Sequence, residues 1–423
     1  MVKLPAMSNT ESLVAAPLQS QIQPFLRRVS VTNYKSIARC VADLSPLTFL
    51  VGRNGSGKSN FLDALRLVVD ALQTSLDHAI KSRGGISAVR RRSTGHPRNF
   101  AIQLEINLDD RQTASVGFEV GSRPEGGFFV KEERLRIINA RGETTAHYRV
   151  LEGDVKEASV ENMPPAAVDR LYLVNAAGLP LFRGVYDALL AMGFYNVNPE
   201  AMKKLQNPDA NELLHHDGSN IASVIARLSA DQPHVMERIK AYLATIVPGI
   251  SDVSRIPLGP SETLQFRQDV VGAKHPWTFF AASMSDGTLR ALGTLVAVTQ
   301  LAGRKRPVRL VGIEEPETAL HPAAAGALMD ALREASSHTQ VLVTSHSPDL
   351  VDQIDLESVQ LLAVQATQGN TEIGPVDQAS LEAIRNHLYS AGELLRMDQL
   401  EIDKADLERQ QQLDFLDFGG EPS

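Results

Sequence analysis

Few eight-residue stretches restrict a chain as tightly as Gly52-Arg53-Asn54-Gly55-Ser56-Gly57-Lys58-Ser59. The run fits G-x-x-x-x-G-K-[ST], a loop whose glycines let backbone N–H groups turn inward around phosphate oxygens. From average residue usage, a chance match in a chain of 423 residues is expected at roughly one or two per hundred. The flanks lower that figure. Leu47 to Val51 (LTFLV) before it is a short apolar run, the mark of a buried strand. After it, Phe61, Leu62, Leu65, Val68, Val69 and Leu72 recur at helical spacing. Strand, glycine turn and helix in that order aim the positive end of a helix at the same anion. In such a loop Lys58 reaches the β- and γ-phosphates and Ser59 ligates Mg²⁺. Gly52, Asn54, Gly55, Ser56, Gly57 and Asn60 complete the nucleotide cradle.

The rest of the chain divides by pattern. Residues 1–24 read as a flexible leader; Ser8, Asn9, Thr10 and Glu11 interrupt any signal-peptide core. Residues 25–160 read as a first lobe. A strand near Val29 to Tyr34 opens it, the phosphate loop follows, and a β meander runs through Phe100–Leu108, Ser115–Val120 and Gly127–Ile138. From Pro164 to Ile256 the pattern turns helical, with Ile239, Tyr242, Leu243 and Ile246 as one stripe. Residues 161–280 are therefore taken as a helical insert. In residues 281–395 helices at Thr288–Leu301 and Ala323–Ala335 alternate with strands at Val308–Ile313, Val341–Thr344 and Val359–Val364. That alternation predicts a parallel sheet with helices on both faces. Residues 396–423 form an acidic tail, expected as a solvated helix that frays into Gly419-Gly420.

A phosphate loop needs acids opposite it. The apolar run Val308 to Ile313 ends in Glu314-Glu315. Two adjacent carboxylates at the end of a buried strand repel one another unless a cation or a catalytic role keeps them there. Glu314 suits the Mg²⁺ shell and Glu315 the polarisation of an attacking water.

Four motifs then carry a family resemblance. Ser285-Asp286-Gly287-Thr288-Leu289-Arg290 resembles the signature loop of ABC-type ATPases. Glu315-Pro316-Glu317-Thr318-Ala319-Leu320-His321-Pro322 resembles the E-P-E-x-x-L-H-P run of the RecF, SMC and OLD-like ATPases. Thr344-Ser345-His346-Ser347-Pro348 resembles their switch-histidine motif, and Asn33-Tyr34-Lys35-Ser36 their N-terminal run. The motifs stand in family order from Asn33 to Pro348. The resemblance implies an α/β fold: an ABC-type P-loop ATPase head with a mixed or parallel central sheet, an antiparallel β region and an inserted helical lobe. It implies ATP and Mg²⁺ as ligands, and Lys58, Glu315 and His346 as the catalytic set. It adds Lys35 and Ser36 to the nucleotide residues. It makes Ser285, Asp286, Gly287 and Thr288 a loop that closes on the γ-phosphate held by a second copy. Glu314 stands where the family usually has Asp. The family's Q-loop glutamine has no clear position here; Gln103, in a strand, is the weak candidate.

Composition restricts the partners. Net charge is −8, so any grip on nucleic acid is a local patch or a groove formed on assembly. Lys81, Arg83, Arg90, Arg91, Arg92 and Arg98 form a basic run with two open readings: contact with DNA phosphates or an acidic partner, and a solvated loop. The single cysteine, Cys40, excludes an internal disulfide and fits a reducing cytosol. No eighteen-residue apolar stretch spans a membrane. His215-His216 reads as surface, and Trp277 with Phe279-Phe280 as core. The interval before the signature is too irregular for a coiled coil, and the segment after His346 too short for a nuclease domain of OLD type. The resemblance therefore implies a stand-alone head, a homodimer or higher homo-oligomer. It would act as sensor or motor for a separate effector protein, a nuclease or Toprim-like chain, with DNA as a further partner, in antiviral defence or DNA repair. An ATP-stabilised scaffold with little turnover and a transporter's nucleotide-binding subunit are the alternatives.

Overall fold

The computed structural model describes residues 22–93, 97–109, 111–210, 213–300 and 308–413. Most of the predicted leader, Leu301, and Gly419-Gly420 lie outside the described residues. The chain opens with β1 (Leu26–Tyr34), β2 (Ile37–Asp43) and β3 (Leu47–Val51), then the phosphate loop and α1 (Lys58–Gln73). Two short helices, α2 (Leu76–Lys81) and α3 (Ile86–Val89), lead into β4 (Asn99–Asp109), β5 (Gln112–Ser122), β6 (Phe128–Asn139), β7 (Thr144–Leu151) and β8 (Asp154–Ala158). Next come α4 (Leu173–Ala176), α5 (Pro180–Leu189), β9 (Met192–Tyr195), α6 (Pro199–Lys203), α7 (Ile221–Asp231) and α8 (Pro233–Ile246). A small sheet follows, β10 (Ile250–Leu258), β11 (Ser261–Gln268) and β12 (Trp277–Phe280). The last part holds α9 (Asp286–Thr299), β13 (Leu310–Glu314), α10 (Ala325–Ser336), β14 (Gln340–Ser345) and α11 (Pro348–Val351). It ends with β15 (Gln360–Thr367), β16 (Asn370–Pro375), α12 (Gln378–Arg385), α13 (Ala391–Arg396) and α14 (Lys404–Gln412).

Thirteen strands form one sheet in the order β8-β7-β6-β5-β4-β1-β2-β16-β15-β3-β14-β13-β9. Its β8-to-β2 half is antiparallel, built from hairpins. Its other half has β15, β3, β14, β13 and β9 side by side and parallel. The parallel strands read as unbroken apolar runs because both faces are covered. β3 is buried at all five positions and β14 at all six. Alternate residues of each strand feed opposite faces. Phe49, Val51, Val311, Ile313, Val341 and Val343 join the core that holds α8, α9 and α10. Leu50, Leu310 and Leu342 join the core that holds α1, α5 and the antiparallel strands.

Three expectations need correction. The interval 161–280 is not helical throughout. β9 leaves it to pair with β13 at the sheet's edge, and β10–β12 form a separate antiparallel sheet. β9 is only four residues long, too short for its period to stand out among helices. Trp277 and Phe280 are not core. They lie on the edge strand β12, 55% and 44% exposed, while Ile250, Val253, Leu264 and Phe266 of β10 and β11 supply that sheet's buried apolar side chains. Arg83 is not part of a solvated or DNA-facing run; it is buried against Asp63 and Asp70 of α1, at 2.9 Å from each. No described helix is long and apolar enough to cross a membrane.

Candidate functional site

The parallel register brings the motifs to one edge. Val51 is level with Ser345, Thr344 with Glu314, and Ile313 with Tyr195. The loops that leave the carboxyl ends of β3, β14, β13 and β9 are therefore neighbours. This is where open α/β sheets take their ligands. They carry the phosphate loop, His346, Glu315 and Asn196 respectively.

The phosphate loop is pinned from behind. Gly57 caps α1 at φ 104°, a left-handed conformation glycine adopts without strain. A Cβ there would also overlap Thr371 of β16. Thr371 Oγ1 donates to the Ser56 carbonyl at 2.8 Å and meets Ser36 Oγ at 2.7 Å. Asn60 Nδ2 donates to Ser36 Oγ at 2.6 Å. Ser36 and Asn60, expected from sequence among the nucleotide residues, lie beside the loop with their side chains bonded to one another and, through Ser36, to Thr371. Lys35 forms an ion pair with Asp63 at 2.6 Å. No side chain caps α1 and no acid occupies its first turn, so its amino end keeps its affinity for an anion.

Lys58 is 4% exposed. Its ammonium donates to the carbonyls of Gly52 at 2.8 Å and Arg53 at 3.0 Å, and lies 4.0 Å from Glu315 Oε1. Burial lowers its pKa, opposed by Glu315 and Glu317. Ser59 hydrogen-bonds Glu314, whose carboxyl is nonetheless raised by burial. Among the described residues no group of three or more His, Cys, Asp or Glu could hold a metal. Mg²⁺ uses one or two carboxylates together with water and substrate phosphates, and the Ser59–Glu314 pair has that form.

Glu315 has φ 44°, uncommon for a residue with a side chain. Its N–H donates to the Thr344 carbonyl at 3.0 Å, which fixes the turn. His346 Nδ1 stands 3.2 Å from Glu315 Oε1. Glu317, which sequence reasoning gave no role, is buried. It accepts from Ser345 Oγ at 2.7 Å and from the His346 N–H at 3.3 Å. Burial raises its pKa.

The signature tip differs. Ser285 caps α9, its Oγ accepting from the Thr288 N–H at 3.2 Å. Ser285 and Asp286 are exposed, whereas Gly287 and Thr288 are buried. Asp286 pairs with Lys203 at 2.6 Å. A Cβ on Gly287 would overlap the Ala319 carbonyl, so only glycine lets the signature sit against the loop after Glu315.

Other sequence readings fall away from this edge. Gln103 lies in β4, buried in the antiparallel half. The residue beyond β9 is Asn196, exposed and adjoining the level of Glu314. His216 is half-buried rather than surface, its ring between Arg66 Nη1 at 2.8 Å and the Phe194 carbonyl at 2.8 Å. A cleft of about 790 Å³ borders Arg66, His216 and Arg309. Its lining contains none of the motif residues, so the chemistry is assigned to the carboxyl edge instead.

A phosphate loop, a strand ending in two acids, a following histidine and a capped glycine helix tip on one such sheet define an ABC-type ATPase head of the RecF, SMC and OLD-like group. The chain belongs to the family described as "AAA domain, putative AbiEii toxin, Type IV TA system", whose model matches residues 47–352. It is 23% identical over 395 residues to the OLD nuclease of Thermus scotoductus, covering 87% of this chain and 68% of that one. Its fold is similar to an SMC head bound to the winged-helix domain of ScpA, with TM-score 0.51, 15% identity, and coverage of 85% of this chain and 100% of that one. It is likewise similar to the Pyrococcus furiosus SMC head with an extended coiled coil, with TM-score 0.52, 14% identity, and coverage of 86% and 100%.

Proposed function

We propose that this chain binds and hydrolyses ATP between two copies of itself, and that the cycle controls a partner acting on nucleic acid. The observation that carries the reading is Glu315, 4.0 Å from the Lys58 ammonium and 3.2 Å from His346. A carboxylate at that position can take the proton of a water attacking the γ-phosphorus, while Lys58 balances the charge of the phosphates. His346 then donates to a γ-phosphate oxygen. Asn196 orients the water or the phosphate from the far side. Ser59 and Glu314 would hold Mg²⁺, which neutralises charge on the β- and γ-oxygens. The exposed Ser285 and the N–H groups of its helix tip supply the missing donors to a second copy's nucleotide. In this arrangement ATP joins the two chains.

The family description names a toxin of a type IV toxin–antitoxin system, and one relative is a nuclease. Both support a role in antiviral defence or DNA repair; the proposal adds a cytoplasmic setting and a partner effector of nuclease or Toprim-like type. Steady-state phosphate release by the purified protein, with and without DNA, tests this. Multiple turnovers raised by DNA support the reading. Assembly in ATP with no phosphate release would replace it with a static scaffold.

A further inference from the structure

Three shielded polar atoms near the carboxyl edge have no hydrogen-bond partner: Arg290 Nε, Glu317 Oε2 and Thr318 Oγ1. Buried polar groups are almost always paired, so a group of orphans calls for an explanation. Two of these are complementary, a guanidinium N–H and a carboxylate oxygen.

Their surroundings give the explanation. Arg290 lies three residues beyond Gly287 on α9, and residues so spaced share a helix face. Gly287 is the residue packed against the Ala319 carbonyl, so Arg290 faces the same loop. The charges acting on it are those of Glu315, Asp286 and Glu317. Glu317 uses its other oxygen to hold Ser345 Oγ and the His346 N–H. Arg290 thus stands between the exposed signature tip and Glu317, within reach of that carboxylate's charge but not bonded to it, and Glu317 in turn holds the backbone of the switch histidine in the same chain.

We infer that Arg290 and Glu317 are positioning residues forming a relay within one chain, by which engagement of the signature tip sets His346 beside Glu315. The inference rests on the composite-site reading, because it supposes that Ser285 engages a second copy's nucleotide. A small movement of α9 against the 315–320 loop joins Arg290 Nε to Glu317 Oε2 and stiffens the Ser345–His346 turn. Each chain's contact with its partner's ATP then prepares its own catalytic residues, so the two sites fire together.

The test is a double-mutant cycle on Glu317→Gln and Arg290→Ala, read as kcat, KM and the affinity for mant-ATP. Each single change is expected to lower kcat by about tenfold or more, with KM and mant-ATP affinity within about twofold, because neither residue touches the phosphate loop. The double variant is expected to be no slower than the worse single, since both remove the same link. Arg290→Lys is expected to recover part of the rate. Effects that multiply in the double variant, or a rise in KM at unchanged kcat, would overturn the relay. Should Glu317→Gln fail to fold, the Arg290→Ala and Arg290→Lys pair decides, and wild-type kcat in Arg290→Ala sinks the idea. Failure of the composite site itself shows separately, as wild-type hydrolysis by Ser285→Arg.

Discussion

The phosphate loop and the signature tip both place glycine at the amino end of a helix, yet the fold treats them oppositely. The first is enclosed at its lysine: Lys58 is 4% exposed, and Thr371, Ser36 and Asn60 brace the loop from behind, while Arg53, Asn54, Gly55 and Ser59 face solvent. The second turns Ser285 and Asp286 to solvent while packing Gly287 inward. Enclosure suits a site that must hold a triphosphate without rearranging, because preorganised donors need no reorganisation at the moment of reaction. Exposure of a helix tip suits a group whose anion arrives on another molecule. On the proposed reading, the difference means that one chain carries two unlike half-sites rather than one whole site.

The largest expected effect breaks the enclosed half. Lys58→Ala should abolish ATP binding in equilibrium titration; retained affinity would remove the phosphate-loop assignment. Glu315→Gln comes next. It should bind ATP, lose roughly 10²–10⁴-fold in hydrolysis as a general base is removed, and accumulate as a closed dimer by light scattering. Wild-type turnover would mean that another residue directs the water. The bracing of the enclosed half can be measured through Arg83, 7% exposed and paired with Asp63 and Asp70 at 2.9 Å each. Arg83→Ala removes one partner from each of two part-buried carboxylates, with Asp63 keeping Lys35 at 2.6 Å and Asp70 keeping Arg66 at 3.6 Å, and should cost about 1–3 kcal/mol in denaturant unfolding. The smallest effect belongs to the exposed half. Lys203→Ala removes the partner of Asp286 and should leave the melting temperature unchanged, since exposed pairs contribute little. A large loss there would mean that the signature tip is as braced as the phosphate loop.

What was legible in the sequence follows the same division. The phosphate loop, Glu314-Glu315 and Ser345-His346 are contiguous runs beside apolar strands, so local pattern suffices to find them. Thr371 was not legible. It touches Ser56 from a hairpin near the other end of the chain, and a lone threonine carries no signal. Asn196 was missed because its strand is four residues long and enters the sheet from a helical stretch. Glu317 stood inside a quoted motif, but its bonds to Ser345 and His346 arise only when β13 and β14 pair. Arg83 read as one cation in a basic run because its partners, Asp63 and Asp70, sit on α1 and meet it only when the chain turns back. The aromatic run at β12 misled for another reason: an edge strand can leave large side chains in solvent, and composition does not reveal the edge.

The central claim, that each nucleotide site is shared by two chains, is tested most directly by mixing two inactive variants. Lys58→Ala lacks the enclosed half and Ser285→Arg lacks the exposed half. In a mixed dimer the second variant's phosphate loop faces the first variant's intact signature. Equal mixing should restore phosphate release, because half of randomly paired dimers hold one intact site of two: to about a quarter of the wild-type rate where that site fires alone, and to about a fortieth where it needs its own chain's signature engaged, as the relay requires. No recovery above the separate variants would contradict the shared site and leave both halves working within a single chain.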